Sequence, residues 1–231
     1  MTTPNNQTQK LHKTTLQGET LSLSTIKNAS KNIDLVLHKH QQIISGACRK
    51  FFEKGYHRTT IREIAIASGM SMGQLYHYIS SKDDVLFLIY QHMQRVWVNH
   101  LVESGIENTV DPKEKLTKAL YHTLEFMVDN KDLISFIYTE TKYLEKKFLR
   151  VVMEMDDKNV VGYWRILLKD AEMVLPTDDE IQFFANLLSY LMVFLPLRGW
   201  NLRNKSDKQH LDRLVFFIIG GLEKYSKQDK L

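Results

Sequence analysis

Apolar residues recur at helical spacing along most of this chain, and hydroxyl or acidic residues stand where each apolar run begins. Over 37–54, Ile43, Ile44, Ala47, Phe51 and Phe52 mark one face of a predicted helix, and Gly55 is its stop. Residues 59–82 then hold three helix starts. Thr60 stands three before Glu63, and Ser71 three before Gln74. At that spacing a hydroxyl and a longer acceptor satisfy each other's orphan backbone amides. Ser81, followed by Lys82, Asp83 and Asp84, is the third start, with acids placed against the positive end of the helix dipole. Gly69 suits the tight turn between the first two helices. Ile61, Ile64, Ala65 and Ser68 share a face of the first short helix, and Leu75 and Ile79 a face of the second. This is the pattern of a helix-turn-helix. Its core is expected to include both Phe51 and Phe52, and its second helix to expose Met72, Gly73, Gln74, Tyr76 and His77.

The third start opens a long helix over 82–102, with Val85, Leu86, Ile89, Met93, Trp97 and His100 among its inward positions. Asp111, Pro112 and Glu114 begin the next helix, to about 130. A short helix is expected over 133–141 and a longer one over 143–171, before Pro176 breaks the pattern. Two further helices, from 177 to about 194 and after a cap at Ser206, are apolar on nearly every side. Such helices must be covered all round. They are expected to form a homodimer interface, with Gly220 and Gly221 allowing close approach; burial within one subunit is the competing reading. The fold class expected is all-α, in three parts: a polar, disordered arm over 1–33, a helix-turn-helix domain over 34–84, and a helical ligand-binding and dimerisation domain over 85–231.

Charge sharpens this division. Residues 1–100 hold 12 Lys and Arg against 6 Asp and Glu, whereas residues 101–231 hold 19 against 21. A basic N-terminal part suits a nucleic-acid face. Lys10, Lys13, Lys27 and Lys31 of the arm either brush DNA or belong to a passive tail. The sole cysteine, Cys48, lies on the apolar side of its helix and excludes an intramolecular disulfide. The run 187–200 is interrupted by Pro196 and Arg198 and is too short to span a bilayer. With no signal-peptide pattern at the N-terminus, a cytoplasmic location and no membrane association are expected. His38 and His40 are two apart and would diverge on a helix, so no metal site is expected. Gly-rich phosphate loops, His-Glu-x-x-His and Gly-x-Ser-x-Gly are all missing from the sequence. Neither an enzyme nor a cofactor is expected.

The run Thr60-x-x-Glu63-Ile64-Ala65-x-x-Ser68-Gly69-x-Ser71-x-Gly73-x-Leu75-Tyr76-x-Tyr78-Ile79-x-Ser81-Lys82-x-x-x-Leu86 resembles the N-terminal domain of the TetR/AcrR family of bacterial regulators. The resemblance covers roughly 39–90. Ile79 departs from it, since the family often has Phe there. It implies a DNA-binding regulator, by family tendency a repressor, on a two-fold symmetric operator. It also implies backbone contacts for Tyr76, His77, Lys82 and the first turn of the preceding helix, where Thr60 and Arg62 lie. A helix in the major groove presents its N-terminal residues to base edges. Met72 and Gln74 are therefore the candidate readers, next to Ser71, and Gly73 admits close approach. Gln74 faces a conflict, because an amide folded back to cap Ser71 is less able to read a base.

For the C-terminal part the sequence offers a concentration of rings. Thirteen of the 24 aromatic residues fall within 121–200. An apolar cavity for a small hydrophobic, acyl or aromatic effector is one reading. Trp97, Phe126, Tyr138, Tyr163, Trp164, Phe183, Tyr190, Phe194 and Trp200 are its candidate lining, and Arg198 a candidate partner for an anionic group. Core filling is the alternative for each ring. A second domain that only dimerises or binds a protein is the alternative for the whole.

Overall fold

The computed structural model of the protein describes residue 26 and residues 32–173, 177–202 and 207–228. The expected arm over 1–33 lies outside the described residues apart from Ile26, Asn32 and Ile33, and so does the expected cap Ser206. Among the described residues the regular structure is helical throughout. In order these are α1 (Ile33–Lys54), α2 (Ile61–Ala67), α3 (Met72–Tyr76), α4 (Lys82–Glu103), α5 (Pro112–Asp129), α6 (Lys131–Glu140), α7 (Lys146–Asp156), α8 (Gly162–Asp170), α9 (Asp178–Met192), α10 (Phe194–Arg198) and α11 (Asp207–Gln228).

Helix α1 starts four residues before the apolar pattern does, because Asn32 caps it by accepting from the Leu35 amide at 3.0 Å. It ends where Gly55 takes φ +85° and returns its N–H to Phe51 at 2.8 Å. The helix expected over 143–171 is in fact two. A π turn at Asp157–Val161 separates α7 from α8, and its extra residue steps the buried stripe from Phe148, Val152 and Met155 to Val161, Trp164 and Leu168.

Two compact units emerge. One contains α1 to α3, α4 as far as Arg95, and Ser135–Met153; the other contains Val96–Ile134 and the chain from Glu154. The division does not fall after residue 84. It passes through α4, α6 and α7, so three helices carry the chain from one unit into the other.

The first unit closes on Ile43, Phe51, Ile64, Leu75, Ile79, Leu86, Phe87 and Phe148, each no more than 2% exposed. Each such burial is worth roughly 1.5–3 kcal/mol. Phe51 stacks on Phe136 at 5.2 Å and Phe87 on Phe148 at 4.9 Å, so residues 135–153 complete this core. Phe52 does not join it. It is 49% exposed, because the α1 stripe through Ile43, Ala47 and Phe51 turns it outward, and it meets only the edge of Phe136. Ile79, for all its departure from the family habit, is wholly buried.

In the second unit α11 buries Leu211, Val215, Ile218 and Leu222 and lies on α5. Tyr121 ties the two by donating to Asp212 at 3.0 Å, and Tyr225 of α11 donates to Glu180 of α9 at 2.6 Å. The outer faces remain apolar and uncovered: Phe183, Leu187 and Tyr190 on α9, Phe216 and Phe217 on α11.

Candidate nucleic-acid interface

The helix-turn-helix is set by its caps. Thr60 accepts from the Glu63 amide at 3.3 Å while Glu63 accepts from the Thr60 amide at 2.9 Å. Lys54 holds the same carboxylate. That contact, with those from Thr60, draws the Glu63 carboxyl down to about 2. The second cap repeats the scheme. Ser71 accepts from Gln74 at 3.2 Å, and Gln74 Oε1 accepts from the Ser71 amide at 2.9 Å. Between them Gly69 adopts φ +68°, a left-handed conformation that Gly takes without strain. Met70 N–H closes the turn on Ala65 at 2.9 Å.

A close approach that the apolar pattern does not announce fixes α1 against this motif. A methyl group on Gly46 would sit 2.7 Å from the Ser68 nitrogen and 2.9 Å from the Ala67 carbonyl carbon. Only a residue without a side chain fits there. Arg49 donates to the Ala67 carbonyl from the same helix. His40, buried and held neutral by desolvation, contacts the Tyr78 carbonyl through Nε2 at 3.1 Å. Asp84 receives the Ser80 amide at 2.6 Å and fixes the turn into α4.

On this frame Thr60, Arg62, Ser71, Met72, Gly73, Gln74, Tyr76 and His77 are all exposed and lie within 18 positions of one another. The side chains of Arg62, Met72, Tyr76 and His77 have no hydrogen-bond or ionic partner among the described residues. A Cβ on Gly73 would meet nothing within 4 Å, so nothing in this chain requires glycine there. Lys82 is different. Its ammonium donates to the carbonyls of Tyr56 at 2.8 Å, Thr59 at 3.2 Å and His57 at 3.3 Å, and lies 4.2 Å from the centre of the Tyr56 ring. Burial lowers its pKa. Tyr56 in turn donates to Asp83. This lysine clamps the turn that presents Thr60, and its three protons already have acceptors. The sequence motif names Lys82 but not this clamp. The mid-stripe position of Gly46 was the one readable sign of the close approach.

The ten candidates for a ligand are not brought together. Trp97, Phe126, Tyr163 and Trp164 are buried in the second unit. Phe183, Tyr190, Phe194 and Trp200 are exposed, as is Arg198, which stacks 5.8 Å from the Trp200 ring. Tyr138, 47% exposed, belongs to the first unit.

A preset turn with a short, exposed second helix, on an all-helical chain, defines the helix-turn-helix class of DNA-binding proteins. Residues 43–89 match the family model described as bacterial regulatory proteins, tetR family. Among relatives, it is 32% identical over 123 residues to the HTH-type transcriptional regulator HbdR of Aromatoleum sp. (strain CIB), covering 53% of each chain. It is 24% identical over 129 residues to the Fatty acid metabolism regulator protein of Bacillus subtilis (strain 168), covering 56% of this chain and 64% of that one. The chain spans about half the length of the first of these relatives. The solved structure of AibR in complex with isovaleryl coenzyme A and operator DNA shares the fold, with a TM-score of 0.63 at 20% identity, over 78% of this chain and 97% of that one. HbdR and the Bacillus subtilis protein are both named as regulators.

Proposed function

We propose that the protein is a transcriptional repressor that binds a two-fold symmetric operator as a homodimer and leaves it when a small hydrophobic or acyl effector binds the second unit. The observation that carries this reading is the state of α3. The side chains of Met72 and Tyr76 are exposed and make no hydrogen bond among the described residues, while reciprocal caps fix the starts of α2 and of α3 itself. A surface so ordered, and so poor in contacts of its own, suits the major groove.

The bare faces of α9 and α11 support dimerisation. Phe216 and Phe217 are 80% and 69% exposed, and Phe183 and Tyr190 about 60% each. A cluster of rings left in water is characteristic of an interaction surface. It also gives the exposed rings once counted as pocket lining a better role. An acyl effector is supported by two relatives: one named for fatty acid metabolism, the other solved with isovaleryl coenzyme A. Three helices pass between the units, so an effector that favours one arrangement of the second unit can act on the first through each of them. A coupling of about 1–3 kcal/mol, or 5–150-fold in affinity, is enough for a switch.

Selection of bound DNA from a random duplex pool, with and without acyl-coenzyme A esters and fatty acids, tests the proposal. Enrichment of a symmetric sequence that an acyl compound then releases is the expected result. Enrichment without symmetry, or binding that none of these compounds alters, contradicts the corresponding part.

A further inference from the structure

Three observations converge on the start of α8 in the second unit. The first is the π turn at Asp157–Val161, directly before Gly162. Such turns are rare and recur at functional sites, because the widened backbone re-aims the side chains that follow. The next two residues, Tyr163 and Trp164, supply the second observation. Both are buried, at 6% and 0% exposure, and neither the Tyr163 hydroxyl nor the Trp164 indole N–H has a hydrogen-bond partner. A buried donor left unpaired costs roughly 1–3 kcal/mol, and native interiors rarely tolerate one. Two on successive residues need an explanation.

The third observation is that polar groups on α4, on α5 and between those helices are satisfied. Trp97, whose ring lies edge-on to Tyr163 at 5.6 Å, donates its indole N–H to Thr123 at 3.3 Å. His100 Nε2 contacts the His122 carbonyl at 3.1 Å. Lys115 and Glu107, almost shut off from solvent, pair at 2.7 Å. At the two residues after the π turn, then, what is lacking is an acceptor.

We infer that Tyr163 and Trp164 form the seat for an uncharged carbonyl oxygen of the effector, such as that of an acyl thioester or ester. The inference rests on the effector reading above and specifies its chemistry. The two rings lie 5.3 Å apart, and two neighbouring donors match an oxygen with two lone pairs and reject an ammonium group. A carboxylate fits poorly, since Lys115 is already paired. Burial first, and then the negative field of Glu107, also hold the Tyr163 phenol in its neutral, donating form. The aromatic edges of Trp97 and Tyr163 supply apolar walls for the carbon chain.

The test is thermal stabilisation and calorimetric titration of the full chain with isovaleryl coenzyme A, methyl octanoate, octanoate and octylamine. The wild type and the variants Tyr163→Phe and Trp164→Phe are compared. The thioester and the ester are expected to bind the wild type, with octanoate weaker and octylamine inert. Tyr163→Phe removes one oxygen and is expected to leave the ligand-free melting temperature unchanged or higher, while weakening both carbonyl ligands roughly 2–12-fold. Trp164→Phe leaves a cavity; if it fails to fold, Tyr163→Phe and the ligand series decide. Equal binding of octylamine overturns the inference. So does undiminished ester binding by Tyr163→Phe, or a lower melting temperature of that variant without ligand, which would show that the hydroxyl has a partner within the protein. Failure of all four compounds to bind the wild type overturns the effector reading itself, and this seat with it.

Discussion

At the scale of single residues, the exposed positions of α3 differ in what they are free to do. Gln74 keeps its Oε1 on the Ser71 amide, which leaves its Nε2 hydrogens facing outward. In that state it donates to an acceptor edge of guanine or thymine; bidentate adenine recognition requires the cap to open. Gly73 carries the sharpest test. In the protein alone its replacement by Ala meets no atom and improves helix propensity, by about 0.5–1 kcal/mol. If the groove needs the backbone close, Gly73→Ala raises the melting temperature and weakens operator binding at once, a divergence that calorimetry and a binding titration read out together. Arg62 and Lys82 separate in the same way. Arg62→Ala is expected to lower the slope of log affinity against log salt by about one unit, because its guanidinium has no other partner. Lys82→Met is expected to weaken binding while leaving the slope unchanged, because that ammonium holds three carbonyls. An equal loss of slope in both variants would return Lys82 to the phosphate contacts that the motif suggests. The motif fixes which residues matter here. It does not reveal Lys82's partners, because these are backbone atoms some 25 positions earlier, which leave no mark on the local spacing.

At the scale of elements, the caps and stops were readable because each is a short-range hydrogen-bonding scheme: Thr60 with Glu63, Ser71 with Gln74, Asp111 with Glu114. The π turn was not, since residues 148–168 are apolar often enough to fit an unbroken helix as well. Nor was the packing of 135–153 on the helix-turn-helix, because periodicity says which face is buried and not against what. Phe52 fell to the same limit. Helices α1 and α4 also carry an acid sensitivity. Desolvation, aided by Arg95, lowers His92 to about 4, and burial lowers His40 against the raising effects of the Tyr78 carbonyl and Asp84. Both are neutral in the folded chain, whereas the unfolded chain protonates them near 6.5. Their contribution is therefore complete above pH 6.5 and is lost as the pH falls below it, for His92 on the way to about 4. Denaturant midpoints are expected to fall between pH 7 and 4, and His92→Gln to reduce the fall. A flat profile over that range would show that neither histidine is desolvated. The capping box of α2 lasts longer: with Glu63 near 2, its share is lost only from about pH 4.5 downward.

For the whole molecule, the account joins a reading head, a bare aromatic face and a buried seat through three helices. Phe217→Glu places a charge on the face proposed for pairing. It is expected to shift sedimentation from dimer toward monomer and to reduce operator affinity at least tenfold, since one half-site then binds alone. A monomeric wild type would remove that element. The class of the molecule was legible from two dozen or so residues around Ser71, whereas the effector was not, because ring content alone does not separate Trp164 in the core from Trp200 at the surface. The claim beneath the rest is that residues 60–77 lie against duplex DNA, and fluorescence titration of a random-sequence duplex with the purified protein measures it most directly. Binding with a dissociation constant on the order of 10⁻⁶–10⁻⁴ M near physiological salt, tightening as salt is lowered, is the predicted result. No detectable binding at low salt, at protein concentrations above that range, would contradict the account.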